Sequence, residues 1–304
     1  MILPQFLHVG DKVALISPSG AQPPEKLEKA LDSVRDFGLE PVAYPTCYLR
    51  HGYLAGTDKE RAKDLTDAFL NPDTKAVISI RGGYGAHRLL EYVDFDEIAS
   101  TGKALYGYSD ITALHMELNR RGLISWHTPM PGTEWYQGLD DFTKESVKFA
   151  LFGSLPSKIV NPDGSRLKTL IAGSAEGELI GGNLSLVAST LGTYYEIEVK
   201  DKILFLEDVD ELPYKIDRML LQLRHGGKLD NCAGIIFGEF SNCEAEEPSK
   251  SITVNDIIEE LVGDIGKPVV SGLHCGHVLP TACLPLGARV LLNADEGIIN
   301  IQGE

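Results

Sequence analysis

The chain has 304 residues, enough for two domains with cores of their own, and its 43% hydrophobic and 24% charged content is that of an ordinary globular protein. Its net charge of -16, from 28 basic and 44 acidic residues, argues against a nucleic-acid partner, because phosphate binding needs clustered Lys and Arg. Five scattered cysteines include no C-x-x-C pair, so neither a zinc ribbon nor a dithiol centre is indicated.

The opening residues MILPQFLHVGDKVAL carry no basic segment before their apolar positions, and Asp11 and Lys12 interrupt them; this is a poor signal peptide. No apolar run reaches the ~18–20 residues that span a bilayer. A soluble, cytoplasmic protein without a membrane partner is the expectation.

The first half alternates strand and helix patterns. Val13–Ser17 is a short apolar run closed by the turn Pro18-Ser19-Gly20. Pro24–Gly38 sets Leu27, Ala30, Leu31, Val34 and Phe37 at helical spacing and ends on a glycine suited to a cap. Pro41–Tyr44 reads as strand, Lys59–Leu70 as helix, and Ala76–Ile80 as a strand running into Arg81-Gly82-Gly83-Tyr84-Gly85. A helix is expected near 84–93, a strand over Ala104–Tyr108 and a helix over Asp110–Arg121. Strands separated by helices predict a parallel, Rossmann-like sheet covered on both faces.

From about Gly153 the character changes. The expected division is an N-terminal α/β domain over 1–153, a linker over 154–177 that mixes proline, glycine, serine and charge without lasting periodicity, and a mixed α/β, strand-rich domain over 178–304. In that last part Gly177–Asn183 leads into a helix near Leu184–Leu191. There follow strand Ile203–Leu206, helix Leu212–His225, strand Gly234–Phe237, helix Val254–Val262 and strand Pro268–Ser271. A hairpin of Arg289–Asn293 and Ile298–Ile301, turned at Asp295-Glu296-Gly297, closes it.

Three predicted strands end on reactive side chains: Ser109, Glu207 and His277. A serine hydroxyl attacks only when a base takes its proton, and the base needs an acceptor to hold its ring. Ser109 sits where a strand meets a helix, the position of a nucleophile elbow, although an N-cap serine has the same pattern. G-x-S-x-G is incomplete because position 111 is isoleucine. At such a turn the amide of Asp110 faces a developing oxyanion. The glycines of Arg81–Gly85 let backbone amides of Gly82 and Gly83 approach a substrate, although a plain tight turn or a phosphate loop fits them too. The dinucleotide fingerprint fails, since Arg88 falls where its last glycine belongs.

Glu207 follows four apolar residues, and its neighbours Asp208, Asp210 and Glu211 read equally as a solvated strand end or as a Mg²⁺ or Ca²⁺ site. Glycines around His277 indicate a tight loop, in which His274, Cys275 and His277 also suggest metal ligands and Cys275 a thiol nucleophile. The acidic set lacks a D-x-D-x-D-G loop and the histidine–cysteine set lacks a matched second pair, so no metal and no cofactor are expected.

The stretches GDKVALISPS (10–19), RGGYG (81–85), GYSD (107–110), GGNL (181–184), LFLED (204–208), YKIDRMLLQL (214–223), Gly276-His277 and LPLG (284–287) run in this order along nearly the whole chain. In order and spacing they resemble the LD-carboxypeptidases of the serine-peptidase type, a family that also holds the microcin-immunity peptidases. The resemblance implies a two-domain fold, a metal-free cytoplasmic homodimer and a triad of Ser109, Glu207 and His277. It also implies an oxyanion hole from the amides of Asp110, Gly82 and Gly83. The reaction it implies is hydrolysis of the bond before a terminal D-residue, as in release of D-alanine from a murein tetrapeptide. Arg81, beside the glycine loop, is the candidate for the substrate carboxylate, because a guanidinium matches that geometry. Thr128 departs from the glycine common in relatives and bears on the substrate rim. Two rivals stand beside this reading. One is an immunity peptidase acting on a peptide–nucleotide, with Trp126, Trp135 or Tyr136 against the base. The other is a non-enzymatic binder of cell-wall peptides.

Overall fold

The computed structural model describes residues 1–153, 155 and 157–302. In chain order the strands are β1 (Lys12–Ile16), β2 (Glu40–Ala43), β3 (Ala76–Ser79), β4 (Leu105–Gly107), β5 (Ser125–His127), β6 (Lys158–Ile159) and β7 (Lys168–Ile171). They continue as β8 (Ser174–Asn183), β9 (Ile203–Val209), β10 (Gly234–Ser241), β11 (Val269–Ser271), β12 (Leu284–Leu286), β13 (Arg289–Asn293) and β14 (Ile298–Ile301). They fall into two compact units, Met1–Ser154 with Cys283–Gly287, and Leu155–Ala282 with Ala288–Glu304.

The first unit is built on a six-stranded sheet of order β12-β5-β4-β3-β1-β2. Every pair is parallel except β12 on β5. Parallel neighbours need crossovers, and helices supply them. Pro24–Asp36 starts on a proline whose missing N–H costs nothing at that position, and buries Leu27, Ala30, Leu31 and Val34 along one face. Asp58–Leu70 opens on a capping box of Thr57 and Glu60. β3 and β4 are buried throughout, as strands covered on both faces must be. The segments after β1, β3 and β4 therefore leave the same edge of the sheet, the edge where open α/β sheets bind ligands.

The second unit carries an eight-stranded sheet of order β6-β14-β13-β8-β9-β10-β11-β7. Its centre, β8 through β11, is parallel, and antiparallel pairs flank it, including the expected hairpin of β13 and β14. The mixed α/β class and the strand-rich second half match the sequence reading.

Several elements differ from it. β5 and β12 have three residues each, too few to show a period, and Ser125 and His127 make β5 look polar although all three of its residues are buried. A helix over Asp141–Phe152, capped by Asp140, was not anticipated, and the helix expected near 84–93 is one 3₁₀ turn, Ala86–Leu89.

The 154–177 stretch, expected as a linker, carries β6, β7 and the start of β8; Ser154 and Pro156 lie outside the described residues. Pro162 and the glycines Gly164 and Gly173 fall between short strands, with β7 on β11 and β6 on β14, rather than marking free chain. Asn161, only 4% exposed, pins the loop before His277. Its Nδ2 donates to Gly272 O at 2.9 Å and its Oδ1 accepts from His274 N at 2.9 Å. Asn161→Ala leaves both backbone groups without their partner, so unfolding in urea should show a loss of about 2–3 kcal/mol. A loss under about 0.5 kcal/mol would mean that the loop stands without this anchor.

Candidate active site

In the first unit Ser109 follows β4 in the left-handed region, at φ 65°. A β-carbon-bearing residue there costs about 1–2 kcal/mol, so the turn is held by its surroundings. Ser109–Ile111 forms a 3₁₀ turn that feeds the helix Thr112–Arg120, which starts two residues later than expected. The glycine loop after β3 lies against it: a β-carbon at position 82 would stand 3.3 Å from Ser109 Oγ. Among the described residues, the N–H groups of Gly82, Gly83 and Asp110 donate to no backbone or side-chain acceptor. Gly82 thus lies against Ser109, and the backbone N–H groups of residues 82, 83 and 110 are not spent on the fold, which leaves them available as donors.

Arg81 folds back on its own surroundings. Nη1 donates to Ala21 O at 3.1 Å and Nε to Gly82 O at 3.3 Å. Burial, with a smaller push from Arg50, lowers its pKa. With Gly20, Gly83, Tyr53 and Tyr84 it lines an open pocket of about 410 Å³. Tyr53 and Tyr84 are 67% and 47% exposed and meet edge-on with centroids 5.6 Å apart. These two tyrosines were not singled out from the sequence. Of the three aromatics that were, Trp126 and Trp135 are buried: Trp126 stacks on Tyr106, and Trp135 bonds Pro129 O and packs on Phe37. Tyr136 is half-buried beneath the Lys26 ammonium.

Behind the serine turn runs a buried polar relay that sequence reasoning also missed. His115 Nε2 lies 2.9 Å from Gly107 O and Nδ1 2.8 Å from Ser125 Oγ, which accepts from Asn119 Nδ2 at 3.2 Å. A carbonyl can only accept, so Nε2 carries the hydrogen and Nδ1 takes one from the serine.

In the second unit Glu207 ends the apolar run of β9 and is fully buried. Its Oε2 lies 2.7 Å from His277 Nδ1. An ionised carboxylate only accepts, so Nδ1 carries the hydrogen and Nε2 is the basic nitrogen of the neutral ring. Gly276, at φ 123°, makes this contact sterically feasible, because a β-carbon there would sit 2.6 Å from Glu207 Oε2. The adjacent Asp208 does something else. It accepts from Asn183 Nδ2, Val209 N, Ser185 N and Ser185 Oγ, at 2.8–2.9 Å. Burial raises its pKa against these donors. It is buried and hydrogen-bonded, not part of a solvated strand end.

Among the described residues no group of three His, Cys, Asp or Glu side chains is placed to hold a metal ion, and no helix is long and apolar enough to cross a membrane. All five cysteines are free and buried. Burial pushes the thiols of Cys47 and Cys283 up to about 12, and Cys275 is 0% exposed, which speaks against a thiol nucleophile.

Residues 13–128 match the model of the LD-carboxypeptidase N-terminal domain and 176–292 that of the C-terminal domain. The chain belongs to the LD-carboxypeptidase family. It is accordingly a serine-type carboxypeptidase. It is 41% identical to a Bacillus subtilis protein named "Probable murein peptide carboxypeptidase", across 96% of this chain and 92% of that one. The crystal structure of a muramoyltetrapeptide carboxypeptidase from Oxalobacter formigenes matches with a TM-score of 0.83 at 33% identity, covering 95% of this chain and 97% of that one. The microcin C7 self-immunity protein of Escherichia coli is 27% identical over 97% of this chain and 94% of its own length.

His115 gives the first unit a pH dependence. Burial depresses its pKa to about 3 against the bond to Gly107 O. The unfolded chain binds a proton near pH 6.5 and the folded one does not, so acid favours unfolding and stability is lost as pH falls from about 6.5 toward 3. At about 1.4 kcal/mol per pH unit, this residue removes about 2 kcal/mol between pH 6.5 and 5. His115→Gln should shrink the loss between those pH values by about that amount in urea melts. An unchanged loss would assign the acid sensitivity to other groups.

Proposed function

We propose that the enzyme releases the terminal D-alanine from murein tetrapeptides, a step in peptidoglycan recycling, with Ser109 as nucleophile, His277 as base and Glu207 as its orienting carboxylate. The left-handed Ser109 beside the unspent amides of Gly82, Gly83 and Asp110 is the observation that carries this reading. The Glu207–His277 hydrogen bond supports it independently, as do the murein-peptide names of the relatives.

In this reading Ser109 Oγ attacks the carbonyl before the D-residue, and its proton passes to His277 Nε2. Glu207 stabilises the resulting imidazolium, and the amides donate to the oxyanion. Collapse breaks the peptide bond as His277 returns the proton to the departing amine of D-alanine. Water, deprotonated by the same ring, then hydrolyses the acyl-enzyme. Arg81, whose Nη2 has no hydrogen-bond partner among the described residues, would hold the terminal carboxylate.

Mass spectrometry of a defined murein tetrapeptide should show loss of one D-alanine. Ser109→Ala should lower kcat by about a thousandfold or more, and activity near wild type would end the proposal. Arg81→Ala should raise KM about tenfold or more with a smaller change in kcat; an unchanged KM would remove Arg81 from the substrate site. The similarity to the self-immunity protein favours a second reading, hydrolysis of a peptide–nucleotide. In that case Tyr53 and Tyr84, not the buried tryptophans, offer exposed rings. Release rates from both substrate types separate the two readings.

A further inference from the structure

The side chain of Asp110 is only 1% exposed, yet it belongs to the residue whose N–H is needed at the oxyanion. Its Oδ2 accepts from Ser19 Oγ at 2.5 Å and from Ala86 N at 2.7 Å. Arg61, fully buried on the helix Asp58–Leu70, holds the same two segments through their carbonyls. Its Nη1 donates to Pro18 O at 2.5 Å and to Gly85 O at 2.8 Å. The peptide joining Gly85 to Ala86 is therefore gripped at both ends, its oxygen by a cation and its N–H by an anion. The turn after β1 is held the same way, by the Pro18 carbonyl and the Ser19 hydroxyl. That turn passes the restraint on, since Gly20 N donates to Gly82 O at 3.2 Å.

We propose that Asp110 and Arg61 act as a clamp that sets the Gly82–Gly83 amides against Ser109, which makes Asp110 a positioning residue through its carboxylate as well as an oxyanion donor through its backbone. This rests on the reading of Ser109 as the nucleophile. The physical case is that burying a charge is costly unless it is paired and hydrogen-bonded. A carboxylate adjoining the nucleophile also opposes a developing oxyanion unless it is neutralised. Ser19, Ala86 and the nearby Arg61 cation provide that neutralisation, and they do so only when both loops are in place. Arg61 is itself held by Asp58 Oδ1 at 2.5 Å, and Asp58 by Arg88 at 2.8 Å. The clamp thus extends back to a helix N-terminus with few degrees of freedom left.

The test compares Asp110→Asn, Ser19→Ala and Ser19→Thr in the full chain, with kcat and KM on murein tetrapeptide and the rate at which a fluorophosphonate labels Ser109. That rate reads nucleophile and oxyanion geometry without reference to the natural substrate. Expected are a fall in kcat of about tenfold or more for Asp110→Asn and about three- to tenfold for Ser19→Ala, with KM within about twofold. Labelling should fall in proportion, and Ser19→Thr should restore much of it. Thermal melts identify a temperature at which each variant is folded, and Ser19→Ala decides the matter if Asp110→Asn does not fold. Rates within twofold of wild type for the folded variants overturn the clamp, as does a loss that only tracks the unfolded fraction. Wild-type protein that is labelled yet inert toward tetrapeptide defeats the substrate reading alone, and the labelling rates then judge the clamp. Labelling of Ser109→Ala at the wild-type rate defeats both.

Discussion

The backbone at Ser109 is the constraint on which the first unit's site depends. A left-handed serine between a buried strand and a helix does not persist by local preference, because its own β-carbon opposes it. Neighbours hold it: the relay of His115, Ser125 and Asn119 fixes the carbonyl of Gly107 from behind, and the Asp110 carboxylate fixes the loops in front. Residues close to the strained turn thus carry polar groups into a core where apolar ones would fold as well. Such local expense is what a site under geometric demand looks like.

The second unit solves a different problem, how to hold a buried carboxylate aimed at an imidazole. Glu207 and Asp208 are adjacent in sequence and both buried, yet they face different surroundings. Asp208 is surrounded by donors from the start of the helix after β8 and is spent on structure. Glu207 meets an imidazole across a glycine. Two neighbouring acids are thereby sorted by the pleat of one strand, whose alternate residues face opposite sides.

Much of this was legible in the linear sequence because the reactive residues sit at the ends of long apolar runs. KALYGYSD and ILFLEDVD announce a buried strand and then its sudden polar end, and both strands formed where expected. The pairing of Glu207 with His277 came from the family resemblance, since the residues alone left His274 as a competitor. What escaped notice was non-local or too short. Arg61 and Ser19 look like a helix-surface cation and a turn serine, and only the fold shows both to be buried. β5 and β12 have no period to read. Burial of Trp126 and Trp135 depends on partners at Tyr106 and Phe37, far away in sequence. The 154–177 stretch misled because short edge strands share the composition of loops.

The placement of β12 has a consequence for how the chain reaches its native state. Leu284–Leu286 closes the open side of β5 in the sheet of the first unit, yet it is synthesised after almost all of the second. During translation, β5 therefore waits with bare amides and carbonyls, a template for wrong pairing until the last stretch emerges. An excised N-terminal half would carry that exposed edge permanently, and self-association through it is the natural fate of such a fragment.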